Sequence, residues 1–220
     1  MSAPVTLAIV TAGPVAAALI SDRGEFSSTT DLQALSGALR CVLAALADAG
    51  AALDDVGLVA VCTGPGSFTG LRIGVALAKS IAQARELPMV GVSSYDIVDF
   101  CVAAYPRAAL VEGKRDFFYA RLASGPSGAP AFASGSRASL EDALATYAAA
   151  SLADVLPGEQ ALRVARIGRS AEGTALGWQG IDIDYGGRPN AVVNWERRQG
   201  AKQGTGQGGG AANASNLEPR

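Results

Sequence analysis

Seven apolar residues, Val56–Cys62 (VGLVAVC), run directly into Thr63-Gly64-Pro65-Gly66-Ser67-Phe68-Thr69-Gly70. A helix-patterned stretch follows from about Leu71 to Leu87. Pro88 ends it, and a second apolar run, Met89 to Val92, comes next. Two strands joined through one helix in so few residues are parallel and right-handed, a βαβ unit. Parallel strands need cover on both faces, so this segment commits the chain to an α/β architecture.

The flanking residues extend the unit. Val5 to Val10 and Val15 to Ile20 are strand-like runs separated by a Thr11-Ala12-Gly13-Pro14 turn. Glu25 to Ser28 is a weaker third strand after Asp22-Arg23-Gly24. A helix is predicted from Leu32 to Ala49, with Thr30 or Asp31 as its N-cap and Gly50 as its stop. Beyond the βαβ unit, Ser93 or Ser94 can cap a helix over about 95–104. Ala108 to Val111 and Phe117 to Leu122 read as strands, Leu140 to Ala150 and Glu159 to Arg169 as helices, and Ile181 to Tyr185 as a late strand. From about Gln199 the composition falls to glycine, glutamine, alanine and asparagine, which predicts a solvated tail. The expected division is an N-terminal α/β lobe over 1–104, a C-terminal α/β lobe over 105–198 and the tail over 199–220.

Composition excludes several chemistries. The 220 residues include no histidine, which removes Ser-His and Cys-His nucleophile pairs and imidazole metal ligands. A net charge of −2 argues against nucleic-acid binding through a broad basic surface. Cys41, Cys62 and Cys101 form no CxxC pair and lie in apolar runs, as buried thiols of a reducing cytoplasm do. The first twenty residues lack a positive n-region and contain Pro4 and Pro14, so they read as strand material rather than a targeting segment. No apolar run is long enough to span a membrane, and no metal site and no catalytic residue are assigned.

The segment Gly64, Pro65, Gly66, Ser67, Phe68, Thr69, Gly70 can be read two ways. A glycine-rich turn into a helix N-terminus can offer backbone N–H groups to an anion, although no Gly-Lys-Ser/Thr follows as in a Walker A loop. Alternatively it is a tight structural turn, with unusual backbone angles at Gly64 and Gly66 and Phe68 packed inward. A peptidase reading would need Ser67 as nucleophile, without any histidine to activate it.

The two long helices carry a second signal. In the first, Leu32, Leu35, Leu39, Val42 and Leu46 form a core-type stripe, and Ala34, Ala38, Cys41, Ala45 and Ala49 recur beside it. In the second, Gly70, Gly74, Ala78 and Ala82 recur every fourth residue, with Ile73, Leu77 and Ile81 along another side. Either the helices are sandwiched within their own domain, or their small-residue sides meet another chain. Glu159 to Arg169 carries Arg163, Arg166 and Arg169 on one side, a solvated face or a minor basic line.

Residues 64–74 (GPGSFTGLRIG) and 87–94 (LPMVGVSS) resemble the TsaB (YeaZ) family. The resemblance covers about 5–122 and is faint to about 198. It implies the actin-like, Hsp70-like and sugar-kinase-like (ASKHA) fold, with two lobes of which the second is here shortened. It also implies a non-catalytic subunit paired with a TsaD-like catalytic subunit and working with a TsaE-like ATPase. Their product is threonylcarbamoyladenosine in tRNA, beside the anticodon. On this reading no cofactor is bound by this chain alone, ATP and metal belong to the partner subunits, and tRNA is met only through the complex. The partner face is then expected on the first two helices: Ala34, Leu35, Ala38, Cys41, Val42 and Ala45 on one, Gly70, Ile73, Gly74, Leu77, Ala78 and Ile81 on the other. The motif loop is Gly64–Gly70 with Arg72. A symmetric dimer through the same helices is expected when the partner is missing. The first strand ends Ile9-Val10-Thr11 where relatives have an Ile-Asp-Thr type of sequence. The later strand ends Val111-Glu112-Gly113-Lys114-Arg115 where they have an Asp-Ala-Arg type of turn. Loss of both aspartates lowers the prospect of Mg²⁺–ATP turnover; a nucleotide-binding, ATPase-like enzyme acting through the Gly64–Gly70 turn is the alternative.

Overall fold

The computed structural model describes residues 5–100, 102 and 104–186. Two sheets organise them. The first contains β1 (Val5–Val10), β2 (Val15–Ser21), β3 (Gly24–Thr30), β4 (Val56–Gly64) and β5 (Met89–Ser93), in the order β3-β2-β1-β4-β5. β1 pairs antiparallel with β2 and parallel with β4, and β4 pairs parallel with β5, as the βαβ reading requires. Helices α1 (Ala34–Asp48) and α2 (Phe68–Arg85) cover one face, and α3 (Ser94–Asp99) follows β5. The second sheet, β8-β7-β6-β9, contains β6 (Arg107–Glu112), β7 (Phe117–Ala123), β8 (Ala131–Ser136) and β9 (Ala148–Ser151), with α4 (Arg137–Leu144) between β8 and β9. α5 (Pro157–Ser170) returns to the uncovered face of the first sheet, against β1, β2 and β4.

The second sheet repeats the start of the first. β6 pairs antiparallel with β7 and parallel with β9, as β1 does with β2 and β4. The described residues contain no counterpart of β5 in it. The expected 104/105 boundary falls in the connection between α3 and β6. The expected tail, Cys101 and residues 187–198 lie outside the described residues.

Small residues set how closely the layers approach. Ala18, Ala8 and Ala60 lie side by side across β2, β1 and β4, and Val90 continues the row on β5. Ala161, Ala165 and Gly168 of α5 rest on that row, and a Cβ at Gly168 would come within 2.5 Å of the Ala60 methyl. On the opposite face Leu7, Ile9, Val59 and Val61 pack against Ala38, Cys41, Val42 and Ala45 of α1 and Val75, Ala78 and Ala82 of α2. β1 is therefore buried on both sides, and its apolar run is continuous rather than alternating.

Several local expectations are corrected. α1 begins after Gln33, whose side chain makes no capping bond. The Thr30 hydroxyl instead accepts from the Leu32 amide at 3.2 Å, so it fixes the turn and not the helix end. Gly50 does stop the helix, at φ +59°. The alanine-rich stretch predicted as helix over 140–150 divides. α4 ends at Leu144, and Ala148–Ser151 becomes β9, where it completes the parallel edge of β6. Alanine is the best helix former, but propensity yields to tertiary context, and pairing with an open strand edge overrides it here. β8 carries no clear alternation and is specified by its antiparallel partner β7. Ile181 to Tyr185 is extended but forms no strand. One bond, from the Asp184 amide to the Thr63 carbonyl at 2.8 Å, ties it to β4.

Edge strand β3 is fastened to α5 by ions. Arg166 donates to Glu25 at 2.5 and 3.1 Å and to Glu159 at 3.0 Å, and Arg163 pairs with Glu159 at 3.1 Å. Hydrogen bonding from Arg166 holds the Glu25 carboxyl below its usual value of 4.5. A lowered folded-state value stabilises above the unfolded value, and that contribution is lost as pH falls through the folded one. Glu25→Gln is expected to cost under about 1 kcal/mol at pH 7, as for a solvent-exposed pair. Urea denaturation followed against pH should show the two proteins converging as pH drops below 4.5.

Candidate functional site

The motif loop is a packing device. Gly64 and Gly66 have φ of +108° and +155°. A Cβ at Gly64 would meet the Asp184 carbonyl, and one at Gly66 would lie 2.5 Å from the Ala12 carbonyl. The Ser67 amide donates to that same Ala12 carbonyl at 2.5 Å, which removes it from any anion cradle. The Ser67 hydroxyl accepts from the Gly70 amide at 3.3 Å and caps α2, a helix-capping role rather than that of a nucleophile. Pro65 is buried. Phe68 points outward, contrary to expectation: it is 42% exposed, tilted against Tyr185 at a centroid distance of 4.9 Å, with the Arg72 guanidinium 5.5 Å from its ring centre. Thr69 and Arg72 are also exposed.

The glycine line on α2 has an internal explanation. Gly70 and Gly74 lie one turn apart against Thr11, the last residue before the β1–β2 turn. A Cβ on either would collide with the Thr11 carbonyl or hydroxyl. The close backbone approach inferred from these glycines is thus to the protein's own first strand. Thr11 is 1% exposed, and its hydroxyl has no hydrogen-bond partner among the described residues. A cleft of about 600 Å³ opens between the starts of α1 and α2, with Leu32, Leu35 and Ile73 on its walls and Thr11, Gly13, Ser67 and Lys114 among its polar lining.

Burial redraws the expected partner face. Ala38, Cys41, Val42 and Ala45 are at most 3% exposed, and Gly70, Gly74, Ala78 and Ile81 are also buried. None of these can be reached without opening the core. The residues left outside are leucines: Leu32 at 43%, Leu35 at 81%, Leu39 at 52% and Leu43 at 57% exposure. Ile73 and Leu77 of the adjoining α2 are half-buried and continue this apolar surface, with Ala76 and Ser80 open beside them; Ala34 is half-buried too. Of the predicted residues, then, Leu35, Ile73 and Leu77 stay on an accessible face, with Ala34 at its edge. Leu43 was missed, although it continues Leu39 at a four-residue step.

The remaining sequence candidates are structural. The Cys62 thiol is fully buried, 3.2 Å from the Ser94 hydroxyl, and burial pushes it up. Burial likewise raises Cys41, which donates to the Val15 carbonyl at 3.7 Å. Arg163 and Arg166 are taken up by Glu159, Glu25 and the Ile97 carbonyl, so the expected basic line is largely an ion-pair fastening. No helix among the described residues is long and apolar enough to cross a membrane.

Two sheets with matching strand connections, the first enclosed by helices on both faces, define an ASKHA-type α/β protein. The crystal structure of YeaZ from Pseudomonas aeruginosa superposes with a TM-score of 0.64 at 22% identity, covering 83% of this chain and 99% of that one. The family model described as TsaD, tRNA N6-adenosine threonylcarbamoyltransferase, matches residues 35–127. The tRNA threonylcarbamoyladenosine biosynthesis protein TsaB of Escherichia coli is 49% identical over 49 residues, 22% of this chain and 21% of that protein. TsaB of Bacillus subtilis is 42% identical over 59 residues, 27% of this chain and 26% of that protein. The chain thus spans about a fifth to a quarter of the length of these two relatives. Its sequence is similar to TsaB proteins over these segments, and its fold is that of YeaZ.

The glycine contacts generate a direct test. Gly70→Ala places a methyl against backbone, which cannot move aside as a flexible side chain can. Urea denaturation should show a loss of roughly 1–3 kcal/mol.

Proposed function

We propose that this chain is a non-catalytic subunit that pairs with a TsaD-like catalytic subunit in threonylcarbamoyladenosine modification of tRNA. The observation that carries the reading is the row Leu35, Leu39 and Leu43 on α1, with Leu32 just before it, held open to solvent beside Ile73 and Leu77 of α2. Burying a leucine side chain is worth about 1.5–3 kcal/mol, so four leucines left in water favour a covering surface. Two adjacent helices of 15 and 18 residues offer a surface on the scale of a standard interface, about 800 Å² per partner. The names of the Escherichia coli and Bacillus subtilis relatives supply the pathway.

The same reading gives chemistry to the partners. A TsaE-like ATPase and the TsaD-like subunit handle ATP and metal, tRNA is engaged through the assembly, and the complex works in the cytoplasm. The Ser67 amide bonded to Ala12 and the Ser67 hydroxyl spent on capping α2 weigh against a nucleotide site on the Gly64–Gly70 turn. Without its partner, the leucine face pairs with that of a second copy.

The test is co-purification with the TsaD-like protein of the same genome, followed by a tRNA modification assay. Leu35→Asp combined with Leu39→Asp should weaken the complex at least about thirtyfold, since two central apolar contacts are replaced by charge. Its thermal transition should stay close to that of the parent, because both positions are exposed. Ala38→Glu should instead unfold the chain, since Ala38 is buried. An intact complex with the double variant overturns the proposal.

A further inference from the structure

A second cavity, of about 320 Å³, lies away from the leucine face, lined by Tyr95, Phe132, Ala133, Ser134, Asp184 and Gly186. Its volume is at the lower end of the range for small-ligand sites. Two aromatic rings form its apolar wall: Tyr95 and Phe132, with centroids 5.7 Å apart and planes tilted by 54°. Tyr95 is only 5% exposed, whereas Phe132 is 66% exposed on edge strand β8. Asp184 is the charged residue of the lining, and its position is fixed by its own backbone. Its amide donates to Thr63, and its Oδ1 accepts from the Gly186 amide at 2.7 Å. Oδ2 has no hydrogen-bond partner among the described residues.

Among the described residues, no arginine or lysine forms an ion pair with Asp184. Arg121, whose guanidinium lies 5.3 Å from the centre of the Tyr95 ring, donates to Asp96 at 2.7 Å and Asp99 at 2.8 Å. Arg107 makes a second ion pair with Asp99 at 3.3 Å. These two arginines and two aspartates balance one another. Burial first, and the Asp184 charge second, push both the Tyr95 and Tyr119 phenols up, so the field of this carboxylate reaches the cavity wall. An exposed carboxylate lining the same cavity as two aromatic rings is an arrangement that attracts organic cations, through charge and ring quadrupoles together.

We propose that the Tyr95–Phe132–Asp184 cavity binds a primary ammonium group, with Asp184 as counter-ion and the two rings against the alkyl stem. The ammonium group is carried by a free polyamine or by a lysine side chain of a bound protein, and the proposal does not depend on the leucine face. It is tested on the full chain by NMR, following the Tyr95 and Phe132 ring protons during titration with n-butylammonium chloride and, separately, with neutral 1-butanol. Butylammonium should give saturable shifts confined to these rings, and butanol should not. Asp184→Asn keeps an oxygen for the Gly186 amide and should weaken binding at least about fivefold. Phe132→Ala, at an exposed position, should weaken it by a similar factor without altering the circular dichroism. Spermidine binding more tightly than Nα-acetyl-lysine amide assigns the site to free polyamines, and the reverse order to a lysine side chain; either supports the proposal. Equal shifts from butanol, no saturable shift, or unchanged binding by both variants overturns it.

Discussion

The distance between the first sheet and its helices governs the rest of this structure. That distance is set by side chains no larger than a methyl or a thiol: Ala38, Cys41 and Ala45 on α1, Gly70, Gly74 and Ala78 on α2, and Ala161, Ala165 and Gly168 on α5. Close approach increases dispersion contact across each layer. The larger apolar residues of α1 divide. Val42 and Leu46 fit against the sheet, and Leu35, Leu39 and Leu43 turn outward, with Leu32 just before them. An exposed apolar surface follows from how the core is packed.

The glycine motif belongs to the same constraint. Gly64, Gly66, Gly70 and Gly74 let one loop and one helix lie directly on Asp184, Ala12 and Thr11. This brings the end of β1, the end of β4 and the start of α2 together, where relatives of this fold that handle nucleotides carry acidic groups. Here the corresponding residue is the buried Val10, and Thr11 beside it lies against Gly74. The motif serves as a joint between β1, β4 and α2.

Much of this was legible from residue order. The βαβ unit, the first two hairpin strands, the ends of α2 and α5, and the resemblance carried by GPGSFTGLRIG all rest on local patterns of apolar residues and glycine. What stayed hidden depended on distant partners. Periodicity showed two apolar stripes on α1, but it could not say which faced inward. Leucine is the more hydrophobic residue, and only the alanines of the packed layers reverse the assignment. β9 was hidden because its alanines favour a helix in isolation, and the open edge of β6 decides otherwise. Phe68 was placed inside by its apolarity, whereas Tyr185, far along the chain, gives it a partner at the surface. The cavity at Tyr95, Phe132 and Asp184 left no local trace, because its walls come from three separate segments.

The central claim is that the leucine side of α1 is the face a partner covers, and the alanine side the face the core covers. Hydroxyl-radical footprinting read by mass spectrometry addresses both halves at once. Leu35, Leu39 and Leu43 should be oxidised in the isolated chain, diluted below the concentration at which it pairs with itself, and protected when the TsaD-like subunit is added, with Val42 and Leu46 unreactive in both states. Oxidation of the three leucines that does not change on complex formation, or reactivity at Val42 and Leu46 in the folded chain, would contradict it.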